Sequence, residues 1–519
     1  MNIDKSTQLS SDCLEQIFAH FKHDKASLYT LARVCRHWCR LIVTSLWAHP
    51  FKTVAKDGSV SIIRAYVACL PTNERQRLAD EGINVEKSTT SLFNYPKYLR
   101  NFESHLIRLA IEKWLQSLGN TRRLKEKTRI TYQYITNLIF SSCSYLRGLT
   151  YDWKEEFNTI QLLDITKFAG FHQAIRNLRT FKLDYHCFPT KATHNLLDII
   201  SQNTQNIHSL LISTNWYVRP EIILRFLKSQ HNIKVLTVDV NLEHNPELLY
   251  MAIRHHAHSL THLKLEGMNE FEQLLKLLVA CKHLETLEIL EFDPELIPDL
   301  EKHPIPQINI KNLYCSPITS DGKVGITSQV QIKSIAYLLE MSNLNLRTFT
   351  YLACGPPELM KVIKNRCPHI THLSLTIQNE DFNELCILLS NLGKLENFVL
   401  SVLPDFGSIP TYIIQKLAIS IPPTLHTLGL NLLFTVESLK ILLNECNGTI
   451  RALTMYQHSI ENTHLEVISK YSEDNNGCLK EFRCLSHSIG NQEIAKSTIP
   501  IVGDVKPPYD PFYDRPIFL

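Results

Sequence analysis

The sequence predicts an α/β chain with a small N-terminal helical head, a helical connecting region and then a long solenoid of strand–helix units. Three observations predict it. An apolar triplet spaced i, i+3, i+5 recurs thirteen times between Leu146 and Cys484. Amphipathic segments separate the triplets, as at 195–200, 222–227, 271–279, 332–339 and 439–443, and there the apolar spacing changes from strand to helix period. Residues 9–51 carry their apolar side chains at helical spacing in three short runs broken by polar residues.

In the head, Cys13, Leu14, Ile17, Phe18 and Phe21 form one helical stripe. Ser10 or Ser11 can cap that helix, and Asp12 places a carboxylate in its positive first turn. Asp24 can cap a second helix with Leu28, Leu31 and Cys35 inward, and a third follows Arg36 with Trp38, Leu41 and Ile42. Three helices this short and apolar cannot cover one another, so an apolar face should be left for a partner. The run resembles the F-box on Leu9, Leu14, Ile17, Phe18, Leu31, Val34, Cys35, Arg36, Trp38, Leu46 and Trp47. It departs from that pattern at Ser10, where the family has Pro, and at Asp12 and Cys13, where it has Glu and Ile; Ser is itself a good cap, so the helix should survive.

Residues 1–8 read as a loose tail and 52–143 as a helical linker or capping region, with an amphipathic run at 106–118 carrying Trp114 on its apolar side. Within it Arg122, Arg123, Lys125, Lys127 and Arg129 read as a solvated helix face. Large fungal F-box proteins are similar in this region.

The triplets begin at Leu146, Leu178, Ile207, Ile233, Leu260, Leu284, Ile310, Leu346, Ile370, Leu395, Leu425, Ile450 and Leu479, with steps of 24 to 36 residues. Two side chains of each would face the core and the alternating ones would face out. The array resembles long, helix-containing leucine-rich repeats over 144–490, although the usual Asn after the strand is missing. That resemblance implies a curved solenoid of about 13 units, each burying its apolar face only against its neighbours. The longest step carries a polar insert at 316–328, and 491–519 is a Pro- and Tyr-rich tail.

Composition bounds the function. A chain of 519 residues with 44% hydrophobic and 20% charged residues needs several cores or an array, and a net charge of +3 argues against a dedicated nucleic-acid binder. The 14 cysteines are scattered, the first ten residues lack the apolar core of a secretion signal, and no apolar run is long enough for a membrane span. Reduced thiols in the cytoplasm and/or nucleus are therefore expected. Cys35, His37, Cys39 and His49 read as packing rather than a metal site, because structural sites need a complete ligand set. The cluster His255, His256, His258 and His262 reads as a solvated loop. Asp405-Phe406-Gly407 stands without the other kinase motifs, and no phosphate-binding glycine loop is present. No enzyme activity, cofactor or metal is expected.

The resemblance implies a substrate-recognition subunit of a Skp–cullin–F-box (SCF) ubiquitin ligase complex, serving ubiquitin-dependent protein degradation. Leu9, Cys13, Leu14, Ile17 and Phe18 would dock a Skp-type adaptor and through it a cullin–RING assembly, with Val34, Cys35 and Trp38 supporting the surface or lining its core. The solenoid would hold a protein substrate through outward residues such as Lys182, Asp184, Asp239, His262, Lys264, Glu266, Glu288 and His372. Two other readings stay open at this point. One is a scaffold that binds adaptor without cullin. The other is a solenoid binding a polyanion through the Arg122–Arg129 run.

Overall fold

The computed structural model describes residues 9–22, 24–51, 58–85, 91–120, 122–153, 164–185, 191–214, 220–240, 246–267, 270–292, 305–317, 328–402, 409–432, 434–455 and 460–484. The terminal segments 1–8 and 491–519 and most of the 316–328 insert lie outside them. The chain forms two compact units, Met1–His256 and Ala257–Leu519.

The first unit opens with the head: α1 (Ser11–His20), α2 (Lys25–Ala32) and α3 (Arg36–Leu46). Each starts where a side chain satisfies a free backbone donor. Ser10 Oγ accepts from the Cys13 N–H at 3.2 Å, and Asp24 accepts from both the N–H and the hydroxyl of Ser27. Cys35 Sγ accepts from the Trp38 N–H at 3.5 Å. The expected core position of Cys35 is thus corrected: it is an exposed cap of α3, not an inward residue of α2.

Helices Gly58–Cys69, Thr72–Asp80, Ser104–Ser117 and Leu124–Ser142 follow, with Trp114 buried as its stripe requires. The connecting region is not wholly helical. It contains strand β1 (Asn101–Glu103), which pairs in parallel with β2 (Gly148–Trp153). β3 (Thr180–Tyr185), β4 (Ser209–Thr214) and β5 (Val235–Val240) continue the parallel ladder in chain order. Helices Lys191–Asn203, Pro220–Lys228 and Pro246–Arg254 return the chain to the start of each next turn. Gly170 opens the short helix Phe171–Ala174 at φ 83°, and a Cβ there would lie 2.3 Å from the Phe140 carbonyl oxygen, so only glycine fits.

The second unit repeats the plan. Its strands are β6 (His262–Glu266), β7 (Thr286–Phe292), β8 (Asn312–Pro317), β9 (Thr348–Cys354), β10 (His372–Ile377), β11 (Asn397–Val402), β12 (Thr427–Asn431), β13 (Ala452–Met455) and β14 (Glu481–Cys484). Neighbours in sequence pair in parallel throughout.

Every strand from β2 to β14 carries one of the thirteen apolar triplets, and the first two residues of each triplet are buried. β1 adds a further unit on Leu99, Phe102 and Ser104, all buried. Buried polar side chains tie successive turns together. Gln230 receives the Ile207 N–H at 3.3 Å and donates to the Thr204 carbonyl at 2.8 Å; Tyr471 OH receives the Ile450 N–H at 3.0 Å. The histidine cluster is corrected on the same ground. His256 is not solvated but fully buried, with Nε2 2.9 Å from the Leu227 carbonyl, while His255 beside it is exposed.

Candidate functional site

Two surfaces concentrate side chains available to a partner. The first is on the head. Leu14, Phe18, Leu28 and Ile42 close a small core, with Leu31, Ala32, Trp38, Leu41 and Leu46 packed against it. Phe18 meets Trp38 edge-on, with ring centroids 5.2 Å apart. Leu14 and Phe18, at 4% and 3% exposure, therefore hold the helices together and do not face a partner, which corrects their expected place on the docking surface. Leu9 and Ile17 are 57% and 42% exposed, and Cys13 is also exposed. Cys13 and Ile17, one turn apart on α1, make an exposed strip beside the core residues, and Leu9 before the helix and Phe21 at its C-cap are exposed as well. Val34 and Tyr29, 60% and 63% exposed, add apolar surface from α2 and the turn after it. Cys35 is exposed and Trp38 half-buried. Sequence reasoning missed Tyr29, which lies off the family pattern, and placed Phe21 in a stripe that the fold divides between core and solvent.

At its other end the head is fixed. Trp47 stacks on Tyr95 at 4.0 Å and lies 5.7 Å from Tyr66. Lys25 Nζ donates to the His49 carbonyl at 2.9 Å, and its partial burial lowers its pKa.

The second surface is the outward face of the strands, taken unit by unit. In the first unit Asp184, Ser213 and Asp239 fall at one register position, where Ser213 donates to Asp239 Oδ2 at 2.6 Å. Lys182 is half-buried one pair of positions earlier. In the second unit His262, Lys264 and Glu266 alternate along β6, and Glu288 on β7 pairs with Lys264 at 3.8 Å. Glu266 and Glu288 are buried rather than open, which corrects their expected exposure. Burial pushes the Glu288 carboxyl up against the opposing effect of Lys264, and burial together with Glu288 pushes the Tyr314 phenol up. His372 is apart from this group on β10, its ring 2.7 Å from Asn397 Nδ2. Burial lowers its pKa and His426 adds to that, while Glu396 opposes it.

In the basic run, Lys127 Nζ donates to the Gly82 carbonyl at 3.0 Å and to Asn120 Oδ1 at 2.7 Å, a structural tie; Arg122 and Arg123 are exposed. Among the described residues no three His, Cys, Asp or Glu side chains come together as metal ligands do, and no helix is long and apolar enough to cross a membrane.

Residues 11–53 match the F-box-like family model, so the three-helix head is an F-box-like domain. No curated protein matches the chain. The chain is similar to a solved structure of the Rad7 and Elc1 complex in yeast, at 14% identity over 77% of this chain and 93% of that one, with a TM-score of 0.39.

Proposed function

We propose that the chain is a substrate receptor of the F-box/leucine-rich-repeat kind in an SCF-type ubiquitin ligase. The observation that carries the reading is the divided head. Leu14, Phe18, Leu28 and Ile42 complete its core, and Leu9, Ile17, Phe21, Tyr29 and Val34 are left exposed on a segment that matches the F-box-like model. Five exposed large apolar side chains on a head this small supply the apolar surface that an interaction site needs. In this reading they bind a Skp-type adaptor that brings a cullin–RING assembly. The repeats hold a protein substrate, with Lys182, Asp184, Asp239, His262, Lys264 and His372 the more open polar groups of the strand faces. Ubiquitin transfer then follows from raised effective concentration. This chain supplies no nucleophile, needs no cofactor, and works in the cytoplasm and/or nucleus.

The test is co-purification of the full chain with adaptor and cullin, comparing wild type with Ile17→Asp/Val34→Asp. Both substitutions lie outside the head core, so folding should be kept while adaptor capture falls at least tenfold. Adaptor without cullin would make the chain a scaffold. Capture of neither by a folded wild type would sink the reading.

A further inference from the structure

The residue that leads into each strand of the first unit lies on one rim of the sheet, because the backbones already pair there. The N–H groups of Arg147, Arg179, His208 and Lys234 donate in turn to the carbonyls of Arg100, Arg147, Arg179 and His208, each at 2.8 Å. Five consecutive repeats therefore set five basic side chains in one row, at about 4.8 Å per strand and roughly 19 Å from first to last. The turns leading into these strands, 94–101, 141–148, 173–180, 202–209 and 228–235, also hold Lys97, Arg176, Lys228 and His231 and contain no Asp or Glu.

Arg147, Arg179 and Lys234 are exposed, and Arg100 and His208 are half-buried. The guanidinium carbons of Arg100 and Arg147 lie 5.4 and 5.6 Å from the centre of the Tyr145 ring, which holds both in place. Arg147, Arg176 and Arg179 pair with no carboxylate among the described residues.

Helix C-termini precede several of these turns and favour a nearby cation. They do not dictate the row. The same position in the second unit reads Thr261, Glu285, Lys311, Arg347, Thr371, Glu396, His426, Arg451 and Lys480, with Lys311 paired to Glu285 at 2.7 Å. The chain as a whole carries only +3, so the row is a local concentration of charge.

We infer that this rim of the first unit is a docking edge for an extended, carboxylate-rich segment of a partner protein. Guanidinium groups match carboxylates in geometry as well as charge, and an extended acidic peptide presents same-side carboxylates about 6.6 Å apart, within reach of long Arg and Lys side chains. Single-stranded nucleic acid fits less well. Its sites combine cations with open aromatic platforms for the bases, whereas here Tyr145 already has two guanidiniums against it, Tyr95 is stacked on Trp47 and Tyr98 is half-buried. The docking edge lies outside the head and does not depend on the ligase reading.

The experiment uses the full chain and a fluorescein-labelled alternating Asp–Glu peptide, read by anisotropy. Binding should weaken steeply between about 50 and 200 mM salt, as screening requires, and an alternating Asn–Gln peptide should not bind. Arg147→Glu/Arg179→Glu should lower affinity at least tenfold with an unchanged melting midpoint and unchanged adaptor capture. Should charge reversal perturb folding, Arg147→Gln/Arg179→Gln supplies the same comparison. Failure of the wild type to bind the acidic peptide, or equal binding by the folded variants, overturns the inference. An oligothymidine that binds more tightly than the peptide and is lost with the same variants also overturns it, in favour of a nucleic-acid edge.

Discussion

The Arg100 N–H donates to the Ala48 carbonyl at 2.9 Å, and the Arg100 carbonyl in turn accepts from Arg147. The head thus supplies the hydrogen bond that a preceding repeat would make, just before β1, and it occupies part of an otherwise open sheet edge. Trp47 stacked on Tyr95 holds that junction. Trp47→Ala should cost about 1.5–3 kcal/mol, below the range for a fully buried Trp because this ring is only partly buried. Hydrogen exchange at 99–103 should accelerate more than exchange at β3. Equal protection of 99–103 in wild type and Trp47→Ala would show that the contact with Ala48 does not depend on Trp47.

Leu14 and Ile17 are three residues apart on α1 but have opposite roles. Leu14→Ala removes a buried side chain and should cost about 2–5 kcal/mol of head stability, so any loss of adaptor would come through unfolding. Ile17→Ala should leave the melting midpoint nearly unchanged and weaken adaptor capture by itself. Circular dichroism melting beside the pull-down separates the two, and the assignment fails if Ile17→Ala melts as low as Leu14→Ala.

The repeat was legible because a triplet that must bury two side chains every turn leaves a periodic trace, and strands β2 to β14 fall on it. β1 was not legible. Its third core position is Ser104 rather than an apolar residue, and the two helices Ser104–Ser117 and Leu124–Ser142 separate Leu99 from Leu146, which breaks the step. On the head, the pattern placed the helices and the Asp24 cap and narrowed the first cap to Ser10 or Ser11, but spacing alone could not divide Leu14 and Phe18 from Ile17 and Phe21. That division depends on which side α2 and α3 cover. The burial of Glu266 and Glu288 was hidden for the same reason, since strand alternation gives the face and not what packs over it.

Gln230 is fully buried and bridges two turns through both ends of its amide, receiving from Ile207 and donating to Thr204. Gln230→Ala leaves a backbone N–H and a carbonyl unsatisfied in the interior, at about 1–3 kcal/mol each before relaxation. Gln230→Leu, which restores volume but not the hydrogen bonds, should not recover the loss. Urea unfolding followed through the first unit tests this, and full recovery by Leu would reassign the role of Gln230 to packing.

Glu288 gives a pH dependence with a definite sign. Burial raises its carboxyl pKa above the unfolded value, so the native state binds its proton more tightly than the unfolded chain does. Its contribution is therefore fully present below the usual Glu range and is lost as the pH rises through the raised folded value. Glu288→Gln keeps the shape and an acceptor for Lys264 without the charge. The difference in melting midpoint, variant minus wild type, should become more positive from acid to neutral pH and then level off. Lys264, 3.8 Å away, sets how far the shift goes, so in a Lys264→Met background the same difference should be larger. A difference that stays flat with pH in both backgrounds would show that Glu288 is ionised equally easily in the folded and unfolded chain.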